Sequence, residues 1–489
     1  LFPWSFTSVN HIWGGAFSGI DETELWKAMV RDWAGVAIFG RMGGIIITSV
    51  IPGRLAKRVM FTHSTATDQP VSAVGWAFRK SNPFTPLALF ACSRSLYILD
   101  ARTCELLSVL VGHGGRITSI AVHPSRPHLI CTTSRDFTGR IYDLHKSPSE
   151  GTDGNPPWNP TSPEPGWRAI NKTNRGGGPH GLHATEPEGY SPGPLPAFGR
   201  CVSVLLGNRP GGHCESVLSA AFHPTLPVIA TSGLDRAVKI WHLRLPGAED
   251  SLSLFREFTP LLSTSALHTA GVLSVSWLDE DTLISHSMPA FWSYDCTKQK
   301  PGEIKIWKWL SKGRFFPSNL PWIQGRMRGT ASDYEESASF QILSAVQLTE
   351  PPLSPSLRTF NHHTLGPAVC VSLARRIRIL GVRDLARLDM YVRKIDSGSA
   401  TEELDKLAAE LDDSHIASDE DDDYAEDTEK KAEDHDDNRW HPGYGCRSDD
   451  VLGSHRDTLH AIDVGFGGRV VVGIDTAGAA WIWYERAAS

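Results

Sequence analysis

The chain has 489 residues and a net charge of −7, with 40 % hydrophobic and 21 % charged residues, which is the composition of an ordinary soluble globular protein. Its 16 Trp and 44 Gly suit many short strands joined by tight turns better than a helical bundle. None of its eight Cys forms a Cys-x-x-Cys pair, which speaks against a zinc cluster or a redox motif and favours a reducing compartment, the cytosol or the nucleus.

The negative charge is concentrated near the C-terminus. Between Glu402 and Asp437 the sequence has 18 acidic residues and 3 Lys, so the remainder of the chain carries a net charge of about +8. A mildly basic body with one acidic segment fits a protein that works on chromatin.

The first predicted elements lie in the most apolar stretch, residues 34–51. Arg41 and several glycines interrupt this stretch, whereas a membrane span needs about 20 predominantly apolar residues. We therefore expect two buried strands around a turn, which make a first sheet together with residues 11–19. No secretory signal opens the chain, which begins at Leu1.

Three further units follow along the chain. Residues 71–113 contain four apolar segments separated by turn residues, which predicts four strands. Residues 112–144 and 212–243 align closely with each other. Each runs from Gly-His through an alternating strand to His-Pro, a second strand, an Asp, and a third strand with an aromatic residue near its end.

The spacing of the polar residues in these two repeats is nearly constant. His113 precedes Asp136 by 23 residues, while His213 precedes Asp235 by 22 and Trp241 by 28. This is the WD-repeat signature, with one four-stranded β-propeller blade per unit. The loop His is expected to hydrogen-bond a strand Ser or Thr and the turn Asp beneath the aromatic ring, because buried polar groups need partners. We interpret these residues as structural and not catalytic.

Weaker copies complete the pattern. A fifth unit comprises residues 268–287 and 302–310, a degenerate sixth comprises 339–348 and 367–382, and a seventh comprises 455–485. His455, Asp475 and Trp483 of the last unit receive the same structural role. The predicted fold class is all-β: a single seven-bladed WD40 β-propeller over residues 1–489 with disordered loop insertions, closed by pairing of an N-terminal strand with the last blade.

Three insertions interrupt the repeats: a Pro/Gly-rich segment at 146–198, a short one at 288–301 and an acidic one at 396–450. Their composition is typical of surface loops or disorder, so we expect solvated tethers. The first insertion falls between the third and fourth strands of the third blade. Residues 401–413 within the acidic insertion have helical periodicity.

Four segments carry a further signal: residues 81–127, 209–224, 274–287 and 474–485, of which the Trp-Leu-x-Asp and Leu-Ile-Ser-x-Ser pair at 274–287 is the most particular. In them the chain resembles the embryonic ectoderm development / extra sex combs family, the WD-repeat subunit of Polycomb repressive complex 2. The resemblance implies a nuclear, non-catalytic scaffold that supports a SET-domain histone H3 lysine methyltransferase, other Polycomb subunits and gene repression.

The resemblance also implies an aromatic cage for trimethyl-lysine, which acts through cation–π attraction. Trp13 falls on the first cage position, Ser72 on the second, and Phe340 near the third. Because the second position is not aromatic, we expect at most a cage remnant at Trp13 and Phe340 and weak binding of the histone H3 tail. Both aromatic residues also fit plain strand anchors.

Two other classes of function stay open at this point. A WD40 propeller also serves as substrate receptor of a ubiquitin ligase or as another chromatin adaptor. An enzyme would need a recognisable site, and the sequence contains no Gly-x-Ser-x-Gly, phosphate-binding loop or metal-spaced His/Cys set. We therefore predict no catalytic residue, no cofactor, no metal and no membrane partner.

Overall fold

A computed structural model organises the chain into a series of antiparallel sheets. It describes residues 20–42, 44–51, 59–62, 69–79, 84–110, 112–146, 199–207, 210–245, 255–291, 299–300, 302–317, 331–347, 357–362, 366–373, 376–382, 440–442, 459–465, 470–475 and 480–485.

The first two sheets follow a helix, α1 (Ile20–Trp33). The first sheet has the order β1 (Val36–Arg41), β2 (Gly44–Ser49), β3 (Val59–Thr62). The second has the order β4 (Val71–Arg79), β5 (Thr85–Cys92), β6 (Ser95–Asp100), β7 (Leu106–Leu110). Strands β1 and β2 form the turn-linked pair predicted in residues 34–51.

Helix α1 is an element that the sequence analysis overlooked. Its Trp26 is fully buried and packs edge-on against Phe78 and Phe84 of the second sheet, with ring centroids 5.5 and 5.9 Å away. Trp33 makes a similar edge contact with Trp76. The helix therefore adds apolar area to the first two sheets. None of the described helices is long and apolar enough to cross a membrane.

The third and fourth sheets come from the two clearest repeats. The third has the order β8 (Ile117–Val122), β9 (Leu129–Ser134), β10 (Gly139–Asp143), β11 (Arg200–Leu205), with β15 (Phe255–Glu257) added in parallel. The fourth has the order β12 (Val217–Phe222), β13 (Val228–Gly233), β14 (Val238–His242), β16 (Leu262–Thr264). Strands β10 and β11 pair across the insertion at 146–198, which itself lies outside the described residues apart from Lys146.

The remaining sheets come from the weaker repeats. The fifth has the order β17 (Val272–Trp277), β18 (Thr282–Ser287), β21 (Glu303–Trp309), β22 (Phe340–Gln347), and the ribbon β19 (Ala290–Phe291) with β20 (Gln299–Lys300) lies between β18 and β21 in the chain. Short helices α2 (Lys312–Phe315) and α3 (Ala331–Tyr334) precede β22. The sixth sheet has β23 (Leu357–His362), β24 (Gly366–Leu373) and β25 (Arg376–Gly381), and the seventh has the order β26 (Trp440–Pro442), β29 (Ala480–Glu485), β28 (Val470–Asp475), β27 (Leu459–Gly465).

One strand assignment from the sequence is wrong, and one strand was not predicted. Residues 339–348 do not start the sixth sheet: they form β22, the fourth strand of the fifth sheet, paired with β21 from Trp309 opposite Phe340 to Glu303 opposite Gln347. The sixth sheet begins instead with β23, whose polar sequence gave no clear strand pattern.

The N-terminal strand that is predicted at the edge of the seventh sheet falls in residues 1–19, which lie outside the described residues. That place beside β29 is filled by β26, in which Trp440 lies opposite Glu485 and Pro442 opposite Trp483. Strand β26 falls within the insertion at 396–450, of which only residues 440–442 are described. The outer edge of β29 needs a hydrogen-bonding partner, and a nearby segment supplies it.

A separate cluster of buried apolar side chains lies between each pair of consecutive sheets. A further cluster joins the two ends of the series, with Ala37 and Val50 of the first sheet against Val470 and Val472 of the seventh. The sheets therefore close into a ring. This confirms the predicted WD40 β-propeller, and seven sheets of three or more strands are present among the described residues.

Candidate functional site

In the third sheet, the WD-repeat histidine is part of a buried hydrogen-bond network. His113 Nδ1 lies 2.9 Å from the Asp136 carboxylate, and its Nε2 lies 2.8 Å from Thr132 Oγ1. The Asp136 carboxylate also accepts hydrogen bonds from the Gly114 N–H at 2.8 Å and from the Thr138 hydroxyl at 2.6 Å. This network fixes the loop before β8 to the turn between β9 and β10.

The fourth sheet repeats this network and adds its tryptophan. His213 Nδ1 lies 2.9 Å from Asp235 Oδ2, and its Nε2 lies 2.8 Å from Thr231 Oγ1. Trp241 Nε1 donates to the same Thr231 oxygen at 2.8 Å. The structure thus brings together the three residues predicted from the repeat, with Thr231 as the link between them.

Burial sets the charge state of this network. Desolvation lowers the pKa of His213, although the attraction of Asp235 opposes the change. For Asp235, burial raises the pKa, but His213 and its hydrogen bond lower it further, to about 2. A neutral imidazole and an ionised carboxylate therefore fix the direction of the bonds: Trp241 donates to Thr231, Thr231 to His213, and His213 to Asp235.

The glycine before each histidine is required by close packing. Gly112 has a φ of +147°, and a Cβ at that position would overlap the guanidinium group of Arg140. At Gly212 a Cβ would overlap the carbonyl oxygen of Leu206. The Gly-His pair is therefore a packing requirement of the blade.

The fifth sheet contains a third set that the sequence analysis did not identify. His268 Nε2 lies 2.7 Å from Ser285 Oγ, and Trp307 Nε1 donates to the same oxygen at 3.1 Å. His268 precedes Trp307 by 39 residues, instead of the 28 that separate His213 from Trp241, because the ribbon lies between them. The sequence features that could have identified this set are the His before β17, the Ser in β18 and the Trp in β21.

The remaining predicted residues are not brought together among the described positions. Asp475 and Trp483 lie in β28 and β29 with side chains that are not described, and His455 lies outside the described residues. Trp13 also lies outside them. Phe340 is half-buried against the edge of Trp307, with ring centroids 6.4 Å apart, and this contact is that of a strand anchor.

Ser72, at the second expected cage position, donates to the Ala91 carbonyl at 3.3 Å across the second sheet. This side chain supplies no aromatic face, and its hydroxyl is engaged with the backbone. Of the positions at which the resemblance implies a cage, the aromatic one among the described residues is Phe340, which already packs within its own sheet.

One group of metal-type ligands is present among the described residues: His128, Asp143 and His145, with donor atoms all within 4.8 Å. The two imidazole rings are stacked, with centroids 4.0 Å apart and planes 9° apart. An ion in the plane of one ring therefore lies outside the plane of the other, so the nitrogens do not point at one position. Burial and the neighbouring His145 lower the pKa of His128 to about 3, which makes this a neutral stacked pair.

The turns between the second and third strands, together with the loops that lead into the first strands, lie at one end of the ring. We call this end the turn face and define it by the turns Ser93–Arg94, Arg135–Phe137 and Leu234–Arg236 and the loops Gly114–Arg116 and Cys214–Ser216. Backbone hydrogen bonds unite it: Arg135 N donates to Arg116 O at 3.0 Å and Leu234 N to Ser216 O at 2.9 Å. The two His–Asp networks lie directly beneath it, so its backbone is fixed from below.

Comparison with known proteins agrees with this architecture. The sequence model of the WD domain, G-beta repeat, matches residues 104–143 and 199–242. The Polycomb group protein FIE1 of Zea mays is 24 % identical over 254 residues, covering 49 % of this chain and 43 % of that protein. The DNA damage-binding protein cmr1 of Aspergillus clavatus is 28 % identical over 192 residues, covering 37 % of this chain and 33 % of that protein.

A solved structure extends the likeness of fold to most of the chain. A chain of the Chaetomium thermophilum Polycomb Repressive Complex 2 bound to GSK126 aligns with a TM-score of 0.56 and 14 % identity, covering 92 % of this chain and 91 % of that one. In sequence, this chain spans about half the length of the curated relatives that it matches, between 43 % and 52 % for three Polycomb group proteins. The protein is a WD40-repeat β-propeller whose relatives in sequence include Polycomb group proteins.

Proposed function

We propose that this protein is a non-catalytic scaffold subunit of a Polycomb-type histone H3 lysine methyltransferase complex in the nucleus. Its role is to hold a SET-domain methyltransferase and other Polycomb subunits, and thereby to support methylation and gene repression. The observation that carries the proposal is the sequence similarity to Polycomb group proteins.

The chemistry of the described site supports a scaffold over an enzyme. The imidazole and carboxylate groups that resemble catalytic pairs are buried and held by fixed hydrogen bonds within their own blades. Burial also raises the pKa of the thiols of Cys131, Cys201 and Cys370, which keeps them as unreactive thiols. A rigid ring with such loops suits the binding of partner segments.

A second candidate is a WD40 chromatin adaptor outside the Polycomb group, such as the substrate receptor of a ubiquitin ligase. The similarity to a DNA damage-binding protein favours it, since that relative is slightly more identical over a shorter segment. The two candidates share the fold and differ in the proteins that co-purify with the chain.

Affinity purification of the tagged full chain from nuclear extract, followed by mass spectrometry, separates the two. The Polycomb proposal predicts recovery of a SET-domain methyltransferase in near-stoichiometric amount, absent from the tag-only control. Recovery of a cullin complex without a SET-domain protein would replace this proposal with the second candidate.

A further inference from the structure

Four arginines lie on the turn face, in three consecutive sheets. Arg94 is in the turn of the second sheet, Arg116 and Arg135 are in the loop and turn of the third, and Arg236 is in the turn of the fourth. Arg135 and Arg236 are exposed, and Arg94 and Arg116 are half-buried.

Three of these arginines are held close together by the backbone. Ile117, next to Arg116, donates its N–H to the Ser93 carbonyl at 2.8 Å, and Ser93 adjoins Arg94. Arg135 donates its N–H to the carbonyl of Arg116 at 3.0 Å. The side chain of Thr118 continues the connection to the fourth sheet through the Val217 carbonyl. Arg94, Arg116 and Arg135 are therefore neighbours across the second and third sheets, and Arg236 lies on the same face in the adjoining fourth sheet.

This patch of four arginines has few counter-charges of its own. In the described part of the chain, none of the four arginines takes part in an ion pair. Asp136 and Asp235 accept hydrogen bonds from their histidines and the backbone. Glu215, in the loop of the fourth sheet, is the one exposed carboxylate in the turns and loops that define this face. Clustered like charges repel one another, so the patch costs stability unless an external anion binds there.

The turns themselves are strained in the same places. Ser93, Phe137 and Arg236 have φ angles of +52°, +70° and +65°, three of the four positive values found for non-glycine residues in the described chain. Left-handed backbone at such residues persists only where the surroundings enforce it, and it recurs at binding sites. At Phe137 and Arg236 the His–Asp networks of the third and fourth sheets hold the turns from below.

Apolar side chains alternate with the arginines. Phe137 is half-buried two positions after Arg135, and Leu234 is 36 % exposed two positions before Arg236. A nucleic-acid backbone would use the arginines but not these apolar groups. A peptide with carboxylate and apolar side chains would use both, because guanidinium groups bind carboxylates in bidentate fashion.

From this arrangement we propose that the turn face over the second to fourth sheets binds an acidic, partly apolar peptide segment of a partner protein. The proposal goes beyond the scaffold function and does not depend on which complex the protein joins. It also predicts that a lysine- and arginine-rich histone tail is repelled from this part of the ring.

Fluorescence anisotropy on the full chain tests the proposal. The probe is a short fluorescein-labelled peptide of Glu with Leu and Phe, and the competitors are a Lys-rich peptide of equal length and a short DNA duplex. The test variant combines Arg94→Gln, Arg116→Gln and Arg135→Gln. A matched pair of single variants compares Arg135→Gln with Arg126→Gln, since Arg126 is also exposed but lies at the opposite end of the same sheet.

We expect the triple variant to bind the probe at least about tenfold more weakly, a change of about 1.4 kcal/mol, with an unchanged melting temperature. Arg135→Gln should weaken binding about threefold and Arg126→Gln should leave it unchanged. The proposal is overturned if the wild-type chain does not bind the probe, or if Arg126→Gln is as damaging as Arg135→Gln. Tighter, arginine-dependent binding of the duplex would assign the patch to nucleic acid instead.

Discussion

At the residue scale, the one-way chain of hydrogen bonds from Trp241 to Asp235 explains why the repeat keeps both a His and an Asp. The carboxylate is the final acceptor, and its charge is stabilised by the imidazole and by the Cys214 N–H at 3.1 Å. Without it, the His213 N–H has no acceptor within its blade. A buried donor left without a partner costs about 1–3 kcal/mol.

We therefore predict that Asp235→Ala lowers the free energy of unfolding by about 2 kcal/mol. Glu215→Ala, which removes an exposed carboxylate from the loop before β12 in the same blade, is the control and should change it by less than about 0.5 kcal/mol. Urea denaturation of the three proteins measures both values. Equal effects of the two substitutions would contradict the structural role of the His–Asp network.

Trimethyl-lysine recognition is the second prediction at this scale. Ser72 provides no aromatic face, and Phe340 is already packed on Trp307. Each missing face removes about 0.5–2 kcal/mol, so binding should be weaker by roughly one to two orders of magnitude than in a complete cage. Calorimetric titration with a trimethylated H3 peptide should give weak or no binding. Low-micromolar affinity that Trp13→Ala abolishes would restore the cage.

The paired residues of a repeat could be predicted from their spacing in the sequence where no insertion lies between them. His113 with Asp136 and His213 with Asp235 follow the repeat spacing, and the structure places each pair in contact. His268 was not identified, because the ribbon lengthens its distance to Trp307 along the chain. Spacing fails as a guide wherever an insertion lies inside the repeat.

At the element scale, the insertion at 146–198 adds little to the entropy cost of folding the third blade. Gly199 N donates to Lys146 O at 2.8 Å, so the two ends of the insertion meet directly beside the β10–β11 pair. The entropy of closing a loop grows only slowly with its length. The blade therefore does not need the inserted residues in order to pair its third and fourth strands.

We predict that replacing residues 147–198 with a short Gly/Ser link leaves the melting temperature unchanged or slightly raises it, because a shorter loop loses less entropy on folding. As a matched control, the same link in place of Glu105, between Cys104 and Leu106, should lower the melting temperature. This change disrupts the turn before β7, in which Asp100 N donates to Glu105 O. Differential scanning calorimetry compares the proteins. A fall of more than a few degrees in the first variant would mean that the insertion packs on the ring.

One misassigned strand and one strand that was not predicted show where patterns in a single sequence stop being informative. Residues 339–348 have the alternation of a strand, but alternation does not say which sheet a strand joins. The assignment is decided by pairing with β21, including the contact of Phe340 with Trp307, and such long-range pairing is not visible in one sequence. Strand β26 was missed for the same reason, because only its pairing with β29 distinguishes it from the surrounding acidic segment.

At the scale of the whole molecule, several buried histidines tie the stability of the ring to pH. Burial lowers the pKa of His286 to about 4, burial and Arg244 lower that of His242 to about 4, and burial with Arg126 and His223 lowers that of His123 to about 3. These groups stay neutral in the folded ring, whereas in the unfolded chain they take up protons below pH 6.5. Stability is therefore lost as the pH falls from about 6.5 towards 4.

We predict that the free energy of unfolding falls by about 1.3 kcal/mol per buried histidine between pH 7.5 and 5.5, roughly 4 kcal/mol for the three. His286→Leu should reduce this difference by one histidine's share, since neither ring nitrogen of His286 has a hydrogen-bond partner among the described residues. Urea midpoints at the two pH values give the answer. A difference unchanged by His286→Leu would show that this histidine is not held neutral by burial.

Ring closure is the feature of the whole molecule that the repeats alone could not define. The sequence predicts a series of blades, and the contact of Val470 and Val472 with Ala37 and Val50 makes the series a ring. Closure covers the apolar faces of the first and last sheets, and it produces the turn face on which a partner is proposed to bind. The turn face, with its arginines, exists only because consecutive blades hold their turns side by side.

The most direct test of the scaffold account is reconstituted histone H3 methylation. The full chain, a SET-domain methyltransferase from the same complex, and both together are assayed on nucleosomes under identical conditions. We predict no methyl transfer by the chain alone, co-elution of the two proteins, and a several-fold higher rate for the pair than for the methyltransferase alone. Separate elution with an unchanged rate, or methyl transfer by the chain itself, would contradict the account.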